Sequence, residues 1–97
     1  MTTTLETLTT RRSELLAAVA RHRAGNPRLF GSVARGEDTA TSDIDLLVEF
    51  SPEASLFDLM GLKDEVEKLL GRRTDIVSEL GLNPLLRERI LREARSI

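Results

Sequence analysis

The chain has 97 residues, a formal net charge of −2 and no cysteine, which predicts one domain, residues 1–97, without disulfides or thiolate metal sites. The lack of a general positive charge, and of tryptophan and tyrosine, argues against direct nucleic-acid binding. No apolar run reaches the ~20 residues of a membrane span and no signal-peptide pattern opens the chain, so we expect a cytoplasmic protein with no membrane partner.

The first third of the chain predicts one helix followed by a short strand. Thr3 and Glu6 have the spacing of a capping box, and leucines then follow one helical stripe up to about Arg23. Residues 25–27, Gly-Asn-Pro, predict the end of this helix. Residues 28–30 follow as a short first strand.

The middle of the chain predicts a short helix, a polar loop and the clearest strand. Residues 32–35 start a helix that Gly36 closes, and residues 37–41 are polar. Residues 43–50 then pass from an acidic start into a nearly continuous apolar run. Such a run is typical of a strand that is covered on both faces.

The last part of the chain predicts two helices separated by a third strand. Ser55 and Asp58 have capping spacing, and an amphipathic helix runs from there to Gly71. Residues 74–77 predict a short strand, and Asn83 predicts the N-cap of a last helix whose apolar edge extends to residue 97. The expected fold class is therefore α/β (α+β), with a small three-stranded mixed sheet flanked by helices.

Two aspartates at the start of the second strand are the strongest functional signal. Side chains alternate along a strand, so Asp43 and Asp45 point to one face while Ile44 points into the core. Mg²⁺ takes oxygen ligands and usually one or two carboxylates. A two-ion site generally needs a third acid, and Asp75 in the third strand is the best candidate, as metal ligand or as general base. The structural alternative for Asp75 is an edge acid paired with Arg72 or Arg73.

The residues before the two aspartates predict a nucleotide site. Gly31 allows the backbone to approach a substrate closely, and Ser32 lies at a helix start, where backbone N–H groups favour phosphate. Arg35 either contacts a β- or γ-phosphate or pairs with Glu37 or Asp38. Ser42, next to the first aspartate, completes the pattern Gly-Ser-x-x-Arg-Gly-x5-Ser-Asp-x-Asp and joins the predicted nucleotide-binding set.

This joint pattern resembles the nucleotidyltransferase superfamily that includes DNA polymerase beta. The short chain and the sequence from Gly31 to Phe50 look like its minimal nucleotidyltransferase (MNT) branch, and the similarity extends over residues 5–95. The resemblance implies the polymerase beta-like fold, two Mg²⁺ ions, ATP as substrate and transfer of a nucleotidyl group to a hydroxyl. It also implies catalytic and metal-binding roles for Asp43, Asp45 and Asp75.

Members of the MNT branch commonly act as antitoxins of HEPN toxin–antitoxin systems. The resemblance therefore implies a protein adenylyltransferase that modifies a hydroxyl, expected to be a tyrosine, of a HEPN-domain RNase toxin, within a hetero-oligomer. The alternative is an antitoxin that blocks its toxin by binding alone. The chain has no room for an acceptor-binding domain, so we expect the acceptor to dock from outside.

Three further features have both a structural and a functional interpretation. Four arginines lie on the last helix, and they are Arg87, Arg89, Arg92 and Arg95. They predict a solvated face balanced by Glu88 and Glu93, or alternatively a contact surface for an acidic partner. Phe57 lies off the main stripe of its helix, as a partner anchor or a second core contact. His22, near the end of the first helix, is expected to be a solvated side chain or a charge at the helix C-terminus rather than a catalyst.

Overall fold

The computed structural model describes residues 3–97 as a mixed sheet with five helices around it. The elements follow in the order α1 (Thr4–Thr10), α2 (Arg12–Arg21), β1 (Ala24–Phe30), α3 (Gly31–Arg35), β2 (Ile44–Phe50), α4 (Leu56–Leu70), β3 (Thr74–Ser78), a 3-10 turn (Glu79–Gly81), α5 (Pro84–Glu93) and β4 (Arg95–Ser96).

The starts of α1, α4 and α5 are those that the sequence predicts. Thr3 and Glu6 form the capping box of α1, and Ser55 and Asp58 form that of α4. The Asn83 side chain accepts a hydrogen bond from the Leu85 N–H at the start of α5. These caps satisfy backbone N–H groups that have no partner within the helix, so local chemistry determines where these three helices begin.

The single first helix that the sequence predicts is wrong, because the structure divides it into α1 and α2 at Arg11. The hydroxyls of Thr9 and Thr10 donate back to the carbonyls of Leu5 and Glu6. Such side-chain hydrogen bonds compete with the backbone hydrogen bonds of a helix and bend it. The hydrophobic stripe continues across the break, which is why periodicity alone does not reveal it.

The sheet has four strands in the order β3-β2-β1-β4 rather than the three expected. β2 pairs parallel with β3, and β1 pairs antiparallel with both β2 and β4. The additional strand, β4, lies where the sequence predicts the last turn of α5, because Ala94 already has an extended backbone. A strand of two residues carries no periodic signal, and only its pairing with Arg28 and Leu29 identifies it.

β1 is also longer than predicted, because the Gly-Asn-Pro segment lies within it. Ala24 and Gly25 pair with Phe50 and Glu49, and the register shifts before Arg28. Asn26 has a φ of +48° within this irregularity. A β-bulge accommodates residues that interrupt a regular strand, so the predicted helix stop is a bulge at the start of β1.

The core lies between one face of the sheet and the helices α2 and α4. Apolar side chains from all these elements form it, and they include Leu15, Val19, Leu29, Ile44, Leu46, Val48, Leu62 and Val66. Leu47 points to the opposite face and is also buried, and the 3-10 turn contacts β2 there. The apolar run of β2 is therefore covered on both faces near its end, as predicted. No helix within residues 3–97 is long and apolar enough to cross a membrane.

Candidate active site

The predicted carboxylates meet where β2 and β3 begin. In the parallel pair, Asp45 lies directly opposite Asp75, at the ~4.8 Å spacing of neighbouring strands. Ile44 and Thr74, which precede them, are buried on the core side. Alternation therefore directs both aspartates to the other face, and Asp43 lies one residue before β2. The register brings Asp75 beside Asp45, as the site prediction requires.

The electrostatics of Asp45 show that these acids act on one another. Burial raises the pKa of Asp45, and the negative charges of Asp75 and Asp43 raise it further. Glu93 adds to this effect, whereas the positive charge of Arg35 opposes it. Charged carboxylates close together are unfavourable unless a cation balances them. The site thus has the charge distribution that a divalent cation relieves.

Two basic side chains lie near Asp43 and Asp75. Nε of Arg73 is 3.8 Å from Oδ1 of Asp43, and Nζ of Lys63 is 3.9 Å from Oδ1 of Asp75. Within residues 3–97, no three acidic, histidine or cysteine side chains are close enough together to hold one metal ion. The predicted pairing of Asp75 with Arg72 or Arg73 is wrong, since its cation partner is Lys63.

The donor set nevertheless suits Mg²⁺ chemically. All the candidate ligands are carboxylate oxygens, which Mg²⁺ prefers, and the ion needs only one or two of them when phosphates and water complete its shell. Asp45 with one neighbouring aspartate is such a set. The two ion pairs are long and partly exposed, so they offer little resistance to rearrangement of Asp43 or Asp75.

Gly31 lies against Asp45, because its neighbour Phe30 pairs with Asp45 between β1 and β2. Gly31 has a φ of +75°, and a Cβ atom placed on it would lie 2.2 Å from Oδ2 of Asp45. A side chain at this position would displace the carboxylate. Ser32 follows at the start of α3 and Gly36 closes that helix in the left-handed region, so the predicted glycine-serine turn beside the acids is confirmed.

A fourth acidic residue, Glu93, reaches this turn from the end of α5. Its Oε2 accepts a hydrogen bond of 3.2 Å from the Gly31 N–H, and its Oε1 forms an ion pair with Nη1 of Arg35. Nε of Arg35 also donates to Glu37 at 3.1 Å. The predicted pairing of Arg35 with Glu37 is therefore confirmed, whereas Asp38 pairs with Arg72.

Sequence reasoning missed the position of Glu93, which it placed on a solvated helix face. The residue lies in the last turn of an exposed amphipathic helix, and its charge resembles that of Glu88, which does remain exposed. No local pattern separates the two. The extended backbone from Ala94 and the pairing of β4 with β1 bring Glu93 to the site.

Ser42 belongs to the loop that leads to the acids. Its hydroxyl accepts a 2.8 Å hydrogen bond from the Thr39 N–H, and its carbonyl accepts from Arg72. The same guanidinium contacts Asp38, the Thr4 hydroxyl and the Thr39 carbonyl. Ser42 therefore shapes the loop, and its contact with nucleotide stays a prediction.

The acidic site is distinct from the main cavity of the described residues. That cavity has a volume of ≈ 620 Å³ between α1 and the loop 36–40, and its lining includes Leu5, Leu8, Ile44 and Arg72 but none of the three aspartates. The Asp43 and Asp75 side chains are 37% and 57% exposed, whereas Asp45 is half-buried against Gly31.

Comparison with known proteins decides the family. The profile of the nucleotidyltransferase domain matches residues 14–97. The chain belongs to the nucleotidyltransferase domain family. It is 43% identical over 81 residues to a candidate protein adenylyltransferase of Methanocaldococcus jannaschii, and the match covers 84% of this chain and 87% of the relative. It is 40% identical over 65 residues to the protein adenylyltransferase MntA of Thermococcus cleftensis, with coverage of 67% and 66%.

Solved structures support the same assignment for this nucleotidyltransferase. A candidate minimal nucleotidyltransferase superimposes with a TM-score of 0.85 at 52% identity, covering 100% of this chain and 95% of that one. A toxin–antitoxin complex with AMP-PNP superimposes with a TM-score of 0.73 at 20% identity, covering 90% and 69%. The first confirms the expected MNT family and fold, and the second agrees with the fold.

Proposed function

We propose that this nucleotidyltransferase is a Mg²⁺-dependent protein adenylyltransferase that acts as the antitoxin of a HEPN-domain toxin. In this reaction a hydroxyl of the toxin, expected to be a tyrosine, attacks the α-phosphorus of ATP. The proton passes to a base, the new O–P bond carries AMP, and pyrophosphate leaves. The observation that carries the proposal is the placement of Asp45 opposite Asp75 and against Gly31.

The proposed roles follow from chemistry and position. Bound Mg²⁺ would neutralise phosphate charge and orient the reacting oxygens. Asp43 and Asp45 would hold it, and Asp75 would provide a further ligand or accept the proton of the attacking hydroxyl. Ser32 and Arg35 are the proposed phosphate contacts, since both lie on α3 beside Asp45.

Two observations support a protein as acceptor. None of the three aspartates lines the main cavity, and Asp43 and Asp75 are partly exposed, which suits a side chain on a folded partner better than an enclosed small molecule. The two relatives are named as protein adenylyltransferases, and structures of similar fold are toxin–antitoxin complexes. We infer from these that the acceptor is a toxin with which the chain forms a complex.

The proposal is tested by incubating the protein with α-labelled ATP, Mg²⁺ and the HEPN-domain toxin proposed as its partner. We expect label on the partner, located on a tyrosine by peptide mass spectrometry, and no label with EDTA or with Asp43→Asn/Asp45→Asn. Asp64→Asn is the matched control, because Asp64 is an exposed acid paired only with Lys68 among the described residues. Equal labelling by the double variant would refute catalysis by these aspartates.

The alternative, neutralisation by binding alone, has one specific observation in its favour. Three large apolar side chains on the first turns of α4 are exposed: Leu56 by 69%, Phe57 by 82% and Met60 by 56%. An exposed apolar group of this kind is typical of a contact surface. If Asp43→Asn/Asp45→Asn still neutralises the toxin in cells while Phe57→Ser does not, binding rather than catalysis is the mechanism.

A further inference from the structure

Glu93 bridges the two ends of the short helix that lies beside the catalytic acids. One carboxylate oxygen accepts from the backbone N–H of Gly31, the first residue of α3, and the other pairs with Arg35, the last. The Glu93 side chain is only 21% exposed. A carboxylate that is mostly covered and bonded at both oxygens has a defined orientation, unlike a solvated surface acid.

The backbone around Glu93 is fixed, although the rest of α5 is loosely attached. α5 has no buried residue, and Leu85 is 90% exposed. Two residues after Glu93, however, Arg95 pairs with Leu29 in the sheet and donates a 3.1 Å hydrogen bond to the Ala34 carbonyl. The end of α5 is thus held to both β1 and α3, which places the Glu93 carboxylate independently of the outer turns.

Glu93 and Glu37 together direct the Arg35 guanidinium. Glu37 accepts from Nε and Glu93 pairs with Nη1. Within residues 3–97, neither acid accepts a hydrogen bond from Nη2. The N–H groups of Nη2 can therefore donate to another oxygen. Two carboxylates on one guanidinium fix its plane, which reduces the entropy lost when it binds a phosphate.

We propose that Glu93 is a positioning residue for the nucleotide: it holds α3 at both ends so that the turn after Gly31 and the guanidinium of Arg35 are set for the ATP phosphates. This inference rests on the proposed function, because it assigns Glu93 to the same nucleotide site. Glu93 acts through α3 and Arg35 and accepts no proton in the reaction. The competing interpretation is an internal anion that blocks the site, and it predicts the opposite effect on affinity.

The test is the dissociation constant of Mg²⁺·ATP, measured by isothermal titration calorimetry on the full chain well below its unfolding temperature. We expect Glu93→Ala to weaken binding roughly tenfold and Glu93→Asp to recover part of that loss. Glu88→Ala is the matched control in the same helix, because Glu88 pairs only with Arg92 among the described residues, and its affinity should equal that of the wild type.

A double-mutant cycle separates positioning from general destabilisation. If Glu93 acts through Arg35, the loss caused by Glu93→Ala should shrink in an Arg35→Ala background, whereas a purely structural loss should persist in full. Glu93→Gln, which keeps size and removes charge, replaces Glu93→Ala if the alanine variant does not fold. Unchanged or tighter ATP binding by the Glu93 variants would overturn the inference while leaving the proposed function intact. Absence of ATP binding by the wild type would instead refute the nucleotide site itself.

Discussion

Gly31 and Asp45 are in such close contact that the space between them excludes a methyl group. A Cβ atom on Gly31 would lie 2.2 Å from Oδ2 of Asp45 and 3.1 Å from its Cγ. The contact arises because β1 ends at Phe30, which pairs with Asp45, and the chain then turns with a φ of +75° into α3. One strand pairing therefore positions both Asp45 and the turn that is proposed to contact the nucleotide.

Gly31→Ala should impair both folding and catalysis. An L-residue in the left-handed region costs about 1 kcal/mol, and the clash with Asp45 adds about 1–3 kcal/mol. Displacement of the carboxylate by about 1 Å should lower the transfer rate roughly 100-fold. Urea unfolding and the labelled-ATP assay measure the two effects.

Gly36→Ala is the matched control for this substitution. Gly36 has nearly the same φ, +72°, but a Cβ atom there would meet no atom of residues 3–97 within 4 Å. We therefore expect only the conformational cost of about 1 kcal/mol, with transfer activity retained. If both variants lose equal stability and equal activity, the close approach of Gly31 to Asp45 has no special role.

Asp45→Asn should stabilise the metal-free protein at neutral pH. Burial and neighbouring negative charges raise the pKa of Asp45 in the folded state, so its ionised form opposes folding. Its removal should raise stability by about 1 kcal/mol, with the solvent screening of a partly exposed group taken into account. Thermal unfolding in EDTA measures this gain.

The pH dependence of that gain tests its cause. An aspartate whose pKa is raised on folding opposes folding fully above the raised value. The penalty decreases as pH falls through that value and approaches zero only below the ordinary pKa of about 4, where the proton is bound in both states. The advantage of Asp45→Asn should therefore be full at pH 7, reduced near pH 4 and absent about one pH unit below that. A gain that does not change with pH would show that charge is not its origin.

Arg72→Met should destabilise the loop that leads to the acids. The guanidinium contacts Thr4, Asp38 and two loop carbonyls, and removal of such a partner leaves half-buried polar groups unsatisfied. We expect a loss of about 1–3 kcal/mol in the free energy of unfolding. Arg73→Met is the control, because Arg73 is exposed and makes one long contact with Asp43.

The pH profile of this effect follows from Asp38. Hydrogen bonds from Thr4 and Arg72 lower the pKa of Asp38 in the folded state. Its contribution to stability is present above the ordinary aspartate pKa and is lost as pH falls through the lowered value. The wild type should therefore lose part of its advantage over Arg72→Met below about pH 4. An advantage that persists undiminished at low pH would contradict the ion pair with Asp38.

Phe57→Ser should leave the isolated protein stable and weaken its complex with the toxin. The side chain is 82% exposed, so the predicted second core contact is wrong, and an exposed substitution costs within about 0.5 kcal/mol. An aromatic anchor in an interface is worth about 2 kcal/mol or more, which corresponds to a more than 20-fold loss of affinity. Biolayer interferometry against the toxin measures this loss, and unchanged affinity would place the interface elsewhere.

The sequence predicts the local geometry around Asp45 better than it predicts the sheet. Asp43, Asp45 and Gly31 lie within one short segment, so strand alternation and the glycine turn are sufficient to bring them together. The placement of Asp75 depends on which strands pair, which the sequence does not report. The parallel register of β2 and β3 brings Asp75 opposite Asp45. Glu93 and β4 depend on contacts between residues more than 60 positions apart, and no local periodicity reports such contacts.

His22 illustrates the same limit away from the site. The sequence predicts a solvated histidine or a charge at the helix C-terminus. His22 is the C-cap of α2, but the sequence does not indicate its partners: its Nε2 lies 3.0 Å from Oε2 of Glu65, and its ring packs against Gly61. Glu65 in turn binds Arg21. This small network joins α2 to α4, and it forms only because the two helices pack side by side on the sheet.

We propose that Asp43 and Asp45 support the transfer of AMP from ATP to a protein hydroxyl. The most direct test of this proposal is single-turnover transfer from α-labelled ATP to the cognate toxin with saturating Mg²⁺. We predict labelled tyrosine with the wild type and with Asp64→Asn, and a rate about 1,000-fold lower with Asp43→Asn/Asp45→Asn. Label on the toxin at the wild-type rate with the double variant, or no label with the folded wild type bound to its toxin, would contradict it.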